Sequence, residues 1–394
     1  MKHTSKSVLL LGLMSLSALA SCGGSAESKE IHVQLVPSND STVLLNMATK
    51  LTPYLNEYVK DTGYTFKIDV GTSYAATTSA LAAGQIDGGF LTASGYAQCT
   101  IDTPNKVKVV LSASRAGYKV QADDFPGFTA EAKELQRAAM NGEVTKDGKA
   151  VTKDNASNAY VYRGEQSATE VSFYSAIMIT LRDSARAELK LPALDSDGDG
   201  KTTIKEIKDN NGIVGVMGAT SSAGYIYPTY TIHQKGYTKG FYAKNDYDAL
   251  SAADKEKAMI SAEQASYSEG VAALMEGRID AMCGYMDIRY GGAFVQDSSK
   301  YYKDETLFTK GYCVEVMDPI MNDTVSVRAD LSQDKIDAIK KAFKAAAKDG
   351  AKDKENTAAY YLYQIYSHTG YVDAQDSDYE SARSMYKWTL QNTK

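Results

Sequence analysis

The chain has 394 residues and a formal net charge of −6, from 43 Lys and Arg against 49 Asp and Glu. That length is enough for two domains or lobes, and an acidic balance argues against nucleic acid as a partner. Four Cys and four His are too few and too scattered for a disulfide framework or a zinc site, and no Gly-x-Ser-x-Gly elbow, His-x-x-x-His pair or Walker-type loop accompanies them.

The N-terminus carries Lys2 and Lys6, then an apolar run from Val8 to Ala20 that is short for a membrane span. It ends in Leu19-Ala20-Ser21-Cys22-Gly23. This resembles the lipobox of bacterial lipoproteins, which implies a signal peptide over 1–21 and a lipid on Cys22. Residues 22–30 then read as a polar tether. Loss of 1–21 removes two Lys and no acid, taking the charge from −6 to −8. The expected location is extracytoplasmic, lipid-anchored to the bacterial cell membrane. Of the later thiols, Cys283 and Cys313 could bridge, or Cys99, Cys283 and Cys313 could all be buried and free.

Ile31 to Val36 reads as a first strand, and Pro37-Ser38-Asn39-Asp40-Ser41 as a turn with N-cap chemistry. Val43, Leu44, Met47, Leu51 and Leu55 then recur at helical spacing. Strands follow at Thr65 to Val70 and Ile86 to Leu91, around a helix from Thr77 to Ala83, and another strand at Val107 to Ser112. Such alternation predicts an α/β lobe with a mainly parallel sheet. The polar segment at about 130–158 reads as a surface insertion. Val171 to Leu181 is a long apolar strand, a second α/β unit starts near Ile213, and the tail is helical.

Asp195-Ser196-Asp197-Gly198-Asp199-Gly200-Lys201-Thr202-Thr203-Ile204-Lys205-Glu206 has EF-hand spacing. Acids fall at loop positions one, three and five, Gly at six and Glu at twelve. Asp195, Asp197, Asp199 and Glu206 would supply carboxylates to a structural Ca²⁺, Lys201 its carbonyl, and Thr203 the ninth position. Thr202 stands where an aliphatic residue is usual, and no second loop is visible.

The run Gly218-Ala219-Thr220-Ser221-Ser222-Ala223-Gly224 lies between an apolar strand and Tyr225-Ile226-Tyr227-Pro228, which reads as a helix start. Strand, hydroxyl-rich turn and helix N-terminus suit an oxyanion, because the first helical N–H groups lack internal partners. A plain N-cap has the same appearance.

Several segments together resemble the phosphate, phosphite and phosphonate-type substrate-binding proteins of bacterial ABC importers. They are Ser73-Tyr74-Ala75, Ala82 to Phe90, Thr220 to Tyr225, Glu276-Gly277-Arg278-Ile279-Asp280-Ala281, and Pro319-Ile320-Met321-Asn322-Asp323-Thr324-Val325-Ser326-Val327-Arg328. The resemblance implies a two-lobed periplasmic-binding-protein type II fold with a ligand cleft and hinge closure. Lobe 1 would hold 31–183 and 313–394, and lobe 2 would hold 184–312. It implies no catalysis, a monomer, and an ABC permease and ATPase as partners.

Carried over residue by residue, the resemblance puts the phosphorus group at Thr220, Ser221, Ser222 and Tyr74. Tyr96 would face the cleft. Tyr267 stands where many relatives have His, and Asp287 is near an acid that can face a ligand amine. The ligand could be phosphite, phosphate, a phosphonate or a phosphorylated cofactor such as thiamine phosphate. A calcium-stabilised surface sensor or adhesin is the competing class.

Overall fold

The structure, a computed structural model, describes residues 28–38, 40–290, 301–302 and 305–392. The lipobox and Cys22 lie outside the described residues. Among those described, no helix is long and apolar enough to cross a membrane.

Two sheets build the molecule. The first comprises β1 (Glu30–Leu35), β2 (Thr65–Val70), β3 (Gly88–Leu91), β4 (Val107–Tyr118), β12 (Thr324–Arg328) and β13 (Gly370–Asp373), ordered β13-β4-β12-β3-β1-β2, with β5 (Gln166–Val171) also on β4. The second comprises β6 (Phe173–Leu181), β7 (Ile213–Val216), β8 (Gly240–Ala243), β9 (Ala258–Glu263), β10 (Ala281–Tyr285) and β11 (Gly311–Met321), ordered β11-β6-β10-β7-β9-β8. Parallel pairing joins β1 to β2 and β3, and links β10, β7, β9 and β8. Strands nearer the crossings between the sheets pair antiparallel.

Local chemistry explains these elements. In β1 the inward Ile31, Val33 and Leu35 alternate with more exposed residues. Asp40 caps the next helix, Ser41–Val59, accepting from the Thr42 and Val43 amides, and Leu44, Met47, Leu51 and Leu55 form its buried stripe. β6 is buried from Ser175 to Leu181 because it lies between β10 and β11.

The sheets move the lobe boundaries from those expected. β6 and β11, assigned by sequence to lobe 1, both belong to the second sheet. The apolar run Val171 to Leu181 breaks at Ser172, where the chain passes from one sheet to the other. It passes back at Asn322 and Asp323. Asn322 pins both crossings: its amide donates to the Ala113 and Val171 carbonyls at 2.9 Å each, and its backbone N–H donates to Ser172 at 3.0 Å.

The expected surface insertion is partly core. Its helix Ala130–Met140 packs on β11, burying Gln136 to Met140, and Arg137 donates to the Tyr312 hydroxyl at 2.8 Å. The helical tail includes one strand, β13, which extends the first sheet on β4.

Cys99, Cys283 and Cys313 are free and buried. Cys283 pairs with Met178 and Cys313 with Ile179, so β6 separates them. Two strand spacings are about 9–10 Å, beyond the roughly 7 Å that a disulfide spans between Cα atoms. Burial pushes the Cys99 and Cys313 thiols up to about 12.

Candidate functional site in the interlobe cavity

A cavity of about 90 Å³ lies between the sheets and takes walls from both. Ser38, Tyr74 and Thr92 come from the first lobe, and Ser221, Tyr267, Tyr285 and Met286 from the second. Each lies at or just past the carboxyl end of a strand with a parallel partner, the position where open α/β sheets hold ligands.

Four helix starts meet at this cavity. Tyr74 opens the helix Tyr74–Ala82, and Thr92 caps Ala93–Asp102 by accepting from the Gly95 amide at 3.1 Å. Ser221 caps the turn Ser222–Ile226, which runs into the helix Tyr227–Gln234, and Tyr267 opens Tyr267–Met275. Helix N-termini carry partial positive charge and unpaired N–H groups, so their meeting favours an anion without burying a formal charge.

Ser221 is held firmly. Its Oγ accepts from the Gly224 amide at 3.2 Å and lies 3.0 Å from the Tyr267 hydroxyl. Gly224 permits this packing: a Cβ there would lie 2.3 Å from Met217 Cγ and 3.0 Å from the Tyr267 hydroxyl oxygen. Burial raises the Tyr267 phenol, with the Ser221 hydrogen bond opposing, so the ring keeps its proton and stays a donor.

Among the described lining residues, Arg115 and Asp323 are the only charged ones. The Arg115 guanidinium donates to the Asp323 carboxylate and lies 4.7 Å from the Tyr174 ring centre. His368 Nε2 is 3.3 Å from the same carboxylate, and its Nδ1 is 3.0 Å from the Tyr371 hydroxyl. Burial alone would raise the Asp323 carboxyl, but the Arg115 charge and the His368 hydrogen bond hold it below its ordinary value. The lining is thus close to neutral, and its donors are mostly hydroxyls, amides and backbone N–H groups.

The sequence-predicted residues divide. Tyr74, Ser221 and Tyr267 meet at the cavity. Thr220 uses its carbonyl to accept from Thr92 Oγ1 at 3.4 Å. Ser222 is fully buried and hydrogen-bonded to Ser94 across the lobes. The Tyr96 hydroxyl turns to Asp376 at 2.6 Å and accepts from the Val109 amide at 3.3 Å. Asp287 is fully buried in an ion pair with Arg289, at 2.9 Å. These four stand outside the described lining.

Residues that the sequence did not single out complete the wall: Arg115, Asp323, Tyr174, Gln121 and Gln364. The signal for Asp323 was its place between two apolar strands, where a carboxylate requires a partner. Arg115 lies on β4, three residues past the Ser112 end expected for that strand, which runs on to Tyr118.

The acidic loop folds as a tight turn. Asp195, Asp197 and Asp199 each offer an oxygen within 4.8 Å of the others. Gly198 and Gly200 take φ values of +75° and +83°. The Asp195 carboxylate accepts from the Gly198 and Gly200 amides at 2.7 and 2.8 Å. Glu206 accepts from Ser196 and Thr203, closing a capping box on the helix Ile204–Asp209 that leads into β7. The donor set is all oxygen, as a hard divalent cation prefers.

Residues 33–379 match the family model described as the periplasmic substrate-binding protein of phosphonate ABC transporters. No curated protein matches the chain in sequence. Among solved structures, the binding-protein component of an ABC phosphonate transporter from Pseudomonas aeruginosa superposes with a TM-score of 0.54 at 13% identity, covering 92% of this chain and 87% of that one. PhnD1 from Prochlorococcus marinus in complex with methylphosphonate gives 0.54 at 12% identity, over 92% and 99%. A chloride-bound protein from Xanthomonas citri gives 0.58 at 11% identity, over 92% and 99%. At these identities the superpositions show the fold, while the family match covers most of the chain. The chain belongs to the phosphonate-type periplasmic substrate-binding proteins of ABC transporters.

Proposed function

We propose that this protein carries a small phosphorus oxyanion (a phosphonate, phosphite or phosphate) in the interlobe cavity and delivers it to a membrane permease driven by an ATPase. The observation that carries this reading is the meeting of four helix N-termini, two from each lobe, on a cavity with a nearly neutral lining. Neutral donors leave no buried charge unpaired when the cargo departs, which suits a carrier. Size favours the smaller ligands. An apolar cavity of about 150 Å³ takes one benzene, and this one measures about 90 Å³. A phosphorylated cofactor would need a wider opening.

The role is carriage rather than turnover, by a monomer held outside the cytoplasm through lipid on Cys22. We also assign a structural Ca²⁺ to Asp195, Asp197 and Asp199, with Lys201, Thr203 and Glu206 as further oxygen sources. That loop leads through one short helix into β7, whose end presents Ser221.

Calorimetric titration with methylphosphonate, phosphite, phosphate and sulfate tests the reading. Saturable one-site binding of at least one phosphorus oxyanion is expected, with no phosphate released from an ester substrate. Binding of none of them, or ester turnover, would reject it.

A further inference from the structure

We infer that the cargo carries its charge only on phosphorus, and that its short substituent is an uncharged hydrogen-bond donor read by Gln364. This rests on the phosphorus-oxyanion reading above. Gln364 lies on the helix Ala358–Tyr366, is 7% exposed, and lines the cavity. Neither its Oε1 nor its Nε2 has a hydrogen-bond partner among the described residues. Two other groups at the same cavity share this state: Ser38 Oγ and Arg115 Nε. Buried polar groups are almost always paired, so three unpaired ones on one cavity describe the ligand's complement.

A fully ionised phosphonate offers acceptors only. It can serve Arg115 Nε, Ser38 Oγ and the Gln364 N–H groups, but it cannot serve Gln364 Oε1, which needs a donor. The donor is not an amine, because among the described lining residues no carboxylate is left to face one. Asp323 is held by Arg115 and His368, and Asp287 is consumed by Arg289. The Arg115 guanidinium already lies on the Tyr174 ring, and its charge would repel a second cation. A carboxylate substituent fails for the converse reason, since the one cation among the described lining residues is paired with Asp323. A hydroxyl or carboxamide on one or two carbons satisfies Gln364 within about 90 Å³.

The test is calorimetry on the full chain with methylphosphonate, hydroxymethylphosphonate, aminomethylphosphonate and phosphonoacetate. Hydroxymethylphosphonate is expected to bind about tenfold tighter than methylphosphonate, the scale of one added neutral hydrogen bond. The amine and the carboxylate are expected to bind about tenfold or more weaker than methylphosphonate. Gln364→Leu should erase the hydroxyl advantage, bringing the affinity ratio of hydroxymethylphosphonate to methylphosphonate to about one. Gln364→Glu should turn the preference toward aminomethylphosphonate. Equal binding of the methyl and hydroxymethyl ligands, or a wild-type preference for the amine or the acid, would overturn the inference and leave the oxyanion reading standing. Binding of no phosphorus oxyanion would reject both. The wild-type ligand series decides the matter even if a variant fails to fold.

Discussion

Ser222 of the second lobe donates its hydroxyl to Ser94 Oγ of the first at 2.8 Å, and the Ser94 amide donates to Ser222 Oγ at 3.1 Å. One of the three consecutive hydroxyls that suggested an anion site therefore joins the lobes, and its neighbour Ser221 faces the cavity. The two roles separate by mutation. Ser222→Ala removes a cross-lobe bond worth about 1 kcal/mol and should weaken ligand binding roughly five- to tenfold by disfavouring closure. Ser221→Ala should weaken it more. Equal losses, or no loss at Ser222, would show by calorimetry that the bond does not hold the closed state.

The C-terminal helix Glu380–Asn392 spans the same division. It packs on the first-lobe helix Ala93–Asp102, where Tyr386 donates to Asp102 at 3.2 Å. It reaches the second lobe through Trp388, whose ring meets Tyr230 at 4.9 Å and His233 at 4.8 Å. Trp388 is the only Trp in the chain. If closure brings these rings together, its emission should change saturably with ligand and give the calorimetric affinity. Emission that ignores ligand would place this helix outside the moving interface.

A pH dependence follows from His368. Burial, with Arg115 adding, pushes its imidazole below the ordinary value, against the opposing pull of Asp323. As pH falls, the unfolded chain takes up the proton first. The stability contributed by this group is thus fully present above about pH 6.5 and is lost as pH falls through the lower folded value. The thermal midpoint should decline between about pH 7 and pH 5, and His368→Gln should flatten that decline. Asp323, also depressed, acts in a separate window that begins near its unfolded value of about 3.9. The same slope in His368→Gln would remove His368 from the account.

Calcium should stabilise the acidic loop. Three carboxylates within 4.8 Å repel one another unless a cation compensates them. At saturating Ca²⁺ the thermal midpoint should rise by about 2 °C or more over the chelated protein. In the Asp195→Ala/Glu206→Ala double variant it should not rise. A Ca²⁺ response that survives in the variant would reject the assignment.

Gly224→Ala should impair both folding and binding. The added Cβ would sit 2.3 Å from Met217 Cγ, beneath the loop that presents Ser221. Circular dichroism melting against wild type checks this, and an unchanged midpoint with unchanged affinity would contradict it.

What the sequence disclosed was local. Alternating apolar residues and capping residues placed β1, β2, β7 and the intervening helices, and these elements carry Tyr74 and Ser221 to the cavity, whereas Tyr267 follows β9, a strand that the pattern did not reveal. What it concealed depends on contacts distant along the chain. The hydroxyl of Tyr96 finds Asp376, 280 residues away, and turns from the cleft. The apolar stretch from Val171 to Leu181 looks like one strand until Asn322 ties its break at Ser172 to the other crossing. Arg115 and Asp323 meet only once β4 and β12 are neighbours. Asp287 is the exception, since its partner Arg289 lies two residues on and was legible.

The central claim is that an oxyanion sits where the four helix N-termini meet. Titration of the full chain and of Ser221→Ala with methylphosphonate, side by side, tests it most directly. The account predicts one-site binding by wild type, weakened about tenfold or more in a variant that stays folded, with its thermal midpoint lowered only by the lost cap. Equal affinity in the two proteins, or no binding of methylphosphonate, phosphite or phosphate to wild type, would contradict it.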